Sequence, residues 1–193
     1  MNFPSGPATI PQFASPVREL DSSGSRAHLR DYVLLAALTI ASLLPFCSKP
    51  FHMDDPLFLW AARQIVDHPF DPYAFPVNWY RTATPMWKET KNPPLGCYYV
   101  AASAEIVGWS ERALHSAFLI PALAVILGTY RLARRFTRFP LLAATATLFT
   151  PGFLVTANSI MCDVLTLAFW IWAAIDNLRI AADNAAMIAR EAV

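Results

Sequence analysis

Residues 32–56 read YVLLAALTIASLLPFCSKPFHMDDP, an uncharged apolar run, Tyr32–Cys47, followed by a proline-flanked segment with adjacent carboxylates at Asp54 and Asp55. The run is slightly shorter than the roughly 17–25 apolar residues of a typical bilayer-crossing helix. Arg26, Arg30 and Asp31 precede it and Lys49 follows it. Pro45 ends it, because proline removes a backbone donor and clashes with the preceding turn. A helix that is apolar on every side has no stripe to turn toward water, so this run reads as a membrane span.

The composition extends that reading to the whole chain. Of 193 residues, 55% are hydrophobic and only 15% are charged, with a mean hydropathy of +0.36. Soluble domains of this size carry about 25% charge to cover their cores. A net charge of +1 gives no electrostatic case for nucleic acid as a partner. The three cysteines, Cys47, Cys97 and Cys162, form no CxxC pair and read as small buried apolar residues, although a Cys97–Cys162 disulfide stays open. No GxGxxG, P-loop, HExxH or GxSxG element is present, so dinucleotide, P-loop nucleotide, zinc-protease and serine-hydrolase chemistry have no sequence support.

Working outward, residues 1–30 are rich in Pro and Ser and lack apolar periodicity, which predicts a disordered cytoplasmic tail. Residues 48–110 form a long outer connection. Asp55-Pro56 predicts a helix start, with Asp55 as N-cap and Pro56 at the first helical position. From Pro56 to Asp67, Trp60, Arg63, Gln64 and Asp67 fall on one side and Leu57, Phe58, Ala61, Ala62 and Ile65 on the other, as in a helix lying in the membrane interface. Phe70–Glu89, dense in Pro, Trp and Tyr, has neither helical nor strand period and reads as an ordered loop at headgroup depth. Asn92-Pro93-Pro94 starts another helix, and Leu95–Val107 is too short to span, as in an interfacial or re-entrant segment.

Ser110 then caps a second span, Glu111 to about Leu132, with Pro121 inside it. Arg131, Arg134, Arg135 and Arg138 mark a cytoplasmic loop. Phe139–Val155 is the third span and Ile160–Ile175 the fourth, which returns inward to Arg179. The fold class is therefore all-α: a polytopic membrane protein with about four transmembrane helices and interfacial helices in the first outer loop. The boundaries are a tail over 1–30, a transmembrane domain over 31–178, and a cytoplasmic tail or helix extension over 179–193. The N-terminus is cytoplasmic, and Asp54, Asp55 and Asp163 emerge on the outer face of the cell membrane.

Three segments carry a resemblance: Phe51-His52-Met53-Asp54-Asp55-Pro56, Lys91-Asn92-Pro93-Pro94-Leu95-Gly96-Cys97-Tyr98-Tyr99, and Met161-Cys162-Asp163-Val164-Leu165. In this order and spacing they resemble the GT-C membrane glycosyltransferases, and within them the protein mannosyltransferase and lipid A aminoarabinose transferase group. The resemblance covers about residues 30–178. It implies transfer of a sugar from a polyprenyl-phosphate donor at the outer face, with Asp54 acting on the acceptor. Family members often have Asp-Glu where this chain has Asp54-Asp55, and Lys or His where it has Asn92. They also run over many more spans. The chain thus reads as the N-terminal part of such an enzyme, with its missing remainder as a partner; the alternative is a truncated or auxiliary, non-catalytic membrane protein that binds polyprenyl phosphate.

The chemistry needs three things. A carboxylate must take the proton of an attacking hydroxyl. Positive charge, from a side chain or a divalent metal, must stabilise the leaving phosphate. An apolar track must hold the lipid. Asp54 and Asp55 are the candidate catalytic acids, although Asp55 also has a structural reading as a helix cap. Asp163 is a candidate substrate or metal ligand, or an acid complementing a helix N-terminus. His52 stands beside the acids. Arg81, Lys88 and Lys91 could bind phosphate, or simply snorkel to lipid headgroups.

Overall fold

The computed structural model describes residues 25–191. The predicted tail therefore lies outside the described residues as far as residue 24, and from Ser25 the chain is helical. In order, the described helices are α1 (Ser25–Leu43), α2 (Asp55–Asp67), α3 (Met86–Glu89), α4 (Leu95–Val107), α5 (Glu111–Phe136), α6 (Pro140–Leu148), α7 (Pro151–Thr156) and α8 (Cys162–Glu191). A 3-10 turn, Leu44–Phe46, closes α1 at Pro45. Two short strands, β1 (Pro76–Val77) and β2 (Thr84–Pro85), pair antiparallel with Pro76 opposite Pro85.

The all-α membrane architecture is present, with one difference in its spans. Ala27–Phe46, Glu111–Phe136 and Cys162–Arg190 are long and apolar enough to cross a bilayer. The stretch read as a third span, Phe139–Val155, is instead two short helices, α6 and α7. Pro151 explains the break. Its ring disfavours helical backbone at the residue before it, and Thr150 is extended (φ −67°, ψ 135°). Phe70–Glu89 also differs from the expected loop, holding the β1–β2 hairpin and α3; strands of two residues leave no alternation to read. Helix α8 continues without interruption to Glu191, so the residues after 178 extend it.

Helix α5 is the centre of the packing, contacting α8, α6, α1 and α4. Ser110 caps it as expected, its hydroxyl accepting from the Ala113 N–H at 3.2 Å. Where α5 crosses α8, Gly128 removes a clash: a Cβ there would stand 2.7 Å from Ile171 Cγ2 and 3.0 Å from Trp172 Nε1. Close approach through a small residue is the usual basis of helix contact in lipid. The Trp172 indole N–H is satisfied across the same contact by the Ala124 carbonyl, at 3.0 Å. One apolar cluster is built here from α1, α5, α6, α7 and α8, around Leu35, Ile126, Tyr130 and Leu148. The other faces of these helices leave Leu29, Val33, Ile120, Leu142 and Trp170 exposed, as surfaces that meet lipid require.

A polar chain ties α1 to the arginine-bearing end of α5. Arg134 donates to His28 Nε2 at 2.9 Å, so the imidazole proton sits on Nδ1 and is directed at the Tyr130 hydroxyl, 3.2 Å away. Tyr130 in turn donates to Asp31 at 2.7 Å. At the opposite end, α2, α4, the hairpin and the first turns of α5 enclose a second cluster around Phe58, Met86, Val100 and Phe118.

Candidate active site

The three segments that carry the resemblance converge at this second cluster. Helix α2 starts one residue earlier than expected. Asp54 is its N-cap position and Asp55 its first residue, and the Asp54 side chain makes no capping bond. Asp55 is fully buried. Its carboxylate accepts from the His52 N–H at 2.7 Å and from the Ile160 N–H at 2.9 Å. The second bond crosses from the first loop to the residue pair preceding α8. A buried carboxylate with a backbone donor on each oxygen is a structural staple, and the helix-cap reading of Asp55 is replaced by this longer-range one.

Asp54 is left as the accessible member of the pair, its side chain 44% exposed. His52 lies beside it. The Asp54 N–H approaches His52 Nδ1 at 3.4 Å, and the same nitrogen is 3.8 Å from the Asp54 carboxylate. His52 thus faces both the backbone and the side chain of Asp54. Asp163 stands exposed in the first turn of α8, three residues beyond the backbone N–H that Asp55 holds. The staple therefore brings the starts of α2 and α8 together, and all three acids share one end of the helices.

The Pro-Pro-Leu segment completes the junction. Gly96, near the start of α4, lies so close to α8 that a Cβ would meet Cys162 Cβ at 3.1 Å. Behind it, the buried Cys97 thiol and the Tyr73 hydroxyl are 3.9 Å apart, and Tyr73 donates to the Asn92 carbonyl at 3.0 Å. Burial pushes the Cys97 thiol up to about 11 and raises Tyr73 well above the usual phenol range. All three cysteines are free thiols, with Cys47 and Cys97 buried as expected.

The candidate cations sit on the loop ahead of α4. Lys91 Nζ donates to the Lys88 carbonyl at 2.8 Å, and Lys88 Nζ lies 5.3 Å from the centre of the Trp87 ring. Arg81 is exposed in the β1–β2 connection with φ 67°, a left-handed conformation uncommon for a side-chain-bearing residue. Among the described residues, no three His, Cys, Asp or Glu side chains converge as a metal site.

One polar residue escaped the sequence reading. His115, in the second turn of α5, is buried against Phe51, with ring centres 5.6 Å apart, and neither of its nitrogens has a hydrogen-bond partner. Its only signal in the sequence is a lone imidazole at the start of the apolar stretch of α5, which is usually a core residue.

A family model described as dolichyl-phosphate-mannose-protein mannosyltransferase matches residues 91–188. The match takes in the Pro-Pro-Leu and Met161-Cys162-Asp163 segments and runs from the approach to α4 through most of α8. No curated protein and no solved structure matches the chain. With a match over half its length, on segments that the fold gathers at one acid-bearing junction, the chain belongs to the dolichyl-phosphate-mannose-protein mannosyltransferase family, membrane glycosyltransferases of the GT-C type.

Proposed function

We propose that this chain provides the acid-bearing part of a polyprenyl-phosphate-sugar-dependent glycosyltransferase that acts at the outer face of the cell membrane. The carrying observation is the division of labour between the paired acids. Asp55 is committed to two backbone donors, and Asp54, beside His52 at the meeting point of α2, α4 and α8, is not. In this reading the Asp54 carboxylate takes the proton of an acceptor hydroxyl. The hydroxyl oxygen bonds to the anomeric carbon, and the bond from that carbon to the polyprenyl phosphate breaks, leaving its electron pair on the phosphate. Lys88, Lys91 and Arg81 supply charge for the departing phosphate, and Asp163 and His52 contact substrate. The N-terminus and the Arg131–Arg138 loop lie in the cytoplasm, which leaves the acids outside.

The test is Asp54→Asn in the complete enzyme. Loss of a general base costs about 10²–10⁴-fold in turnover, and the variant inserts into membranes normally. Turnover within a few-fold of the parent would remove this mechanism.

A further inference from the structure

A groove on the polar face of α2 lies away from Asp54, Asp55 and Asp163. It is open, holds about 540 Å³, and runs between the polar face of α2 and the hairpin, lined by Trp60, Arg63, Gln64, Asp67, Val77 and Asn78. That volume lies within the range of small-molecule sites. Trp60 is held in place, edge-to-face with Trp79 at 6.2 Å, and remains 41% exposed. The Arg63 guanidinium is fixed over the Trp109 ring, 4.9 Å from its centre. Arg63 and Asp67 are spaced for a helical i,i+4 ion pair, but among the described residues neither has an ion-pair partner, and the side chains of Gln64 and Asn78 make no hydrogen bond.

We infer that this groove binds a neutral saccharide of the acceptor, a distal unit of an extended glycan. A pyranose offers an apolar C–H face to an indole and a rim of hydroxyls that both donate and accept. The groove matches both, with an indole against an apolar floor and the donor and acceptor groups of Arg63, Gln64, Asp67 and Asn78 around it. A phosphate would meet the Asp67 carboxylate, and a cation would meet Arg63; an uncharged polyol meets neither penalty. Gln64 lies about 15 Å along α2 from Asp54 at the helical rise. A sugar in the groove is therefore not the reacting unit, and the acceptor reaches from the groove to the acid. This deepens the Asp54 reading and rests on it for the acceptor assignment, though not for the binding itself.

The experiment is saturation-transfer NMR of mannotriose with the full chain in phosphatidylcholine nanodiscs, which avoids sugar-based detergents. Saturation transfer is expected at about 10 mM trisaccharide, the millimolar range of weak single-site contacts. Trp60→Ala and, independently, Asn78→Ala should weaken binding about tenfold, while Asp54→Asn leaves it unchanged and inorganic phosphate does not compete. No transfer to mannotriose, equal transfer in the parent and both groove variants, or displacement by phosphate would each overturn the saccharide assignment. If Asp54→Asn retains turnover while groove binding persists, the base assignment fails and the subsite stands.

Discussion

Asp55→Ala separates structure from chemistry within the acidic pair. The parent carboxylate is fully buried and accepts two backbone hydrogen bonds, from His52 at 2.7 Å and Ile160 at 2.9 Å. Hydrogen bonds to a charged group contribute about 1.5–3 kcal/mol each, and truncation leaves the Ile160 N–H without its partner. The sum is about 3–6 kcal/mol, a large part of the roughly 5–15 kcal/mol that holds a domain folded. Asp55→Asn keeps one acceptor oxygen but turns an amide N–H₂ toward a backbone N–H, so it should lose about half as much. Thermal unfolding in detergent can be followed with a thiol-reactive fluorogenic maleimide, because Cys47 and Cys97 are buried until the fold opens. The expected midpoint shift for Asp55→Ala is about 10 °C downward, from the usual conversion for chains of this length. Asp54→Ala, at an exposed side chain without a capping bond, should stay within about 2 °C of the parent. Equal shifts for the two alanine variants, or none for Asp55→Ala, would refute the staple.

Other regions give sharper single outcomes. Gly128→Leu should separate α5 from α8, since even a Cβ at this position meets Ile171 and Trp172 within 3.0 Å; loss of proteolytic resistance between the helices, exceeding that of Gly152→Leu in its open surroundings, would show it. Tyr130→Phe removes the only described donor to Asp31 at the arginine end and should cost about 1–2 kcal/mol in the same unfolding assay. The Cys97 thiol, held up to about 11 by burial, ionises more readily once unfolded. The unfolded chain therefore binds fewer protons above about pH 9, and stability falls as pH rises from there toward 11. Cys97→Ala should flatten that slope in unfolding midpoints measured across the alkaline range.

The membrane habitat was legible in the sequence because it rests on bulk properties. Apolar runs such as Tyr32–Cys47 need no partner to declare that they avoid water, and α1, α5 and α8 follow from them. Local chemistry was equally readable: Ser110 caps α5, Pro45 closes α1, and the polar and apolar sides of α2 fall where its periodicity puts them. The continuous third span failed because a hydropathy window averages over Pro151, whereas the backbone of Thr150 responds to that one ring. Motif order named the family, the reading of the spans put Asp54, Asp55 and Asp163 at one end, and the Asp55-Pro56 pattern gave Asp55 a structural reading, though as a helix cap that the fold assigns to Asp54. What separates the two adjacent aspartates is the N–H of Ile160, 105 residues from Asp55 in the chain, which only the packing of α2, α4 and α8 brings within 2.9 Å. The α2 groove has the same origin. Arg63, Gln64 and Asp67 read from the sequence as the polar side of a helix lying in the membrane interface, and they become a lined cavity only when the β1–β2 hairpin folds over them. Hydrophobicity acts residue by residue and survives in one dimension; hydrogen bonding across distant segments depends on the three-dimensional fold.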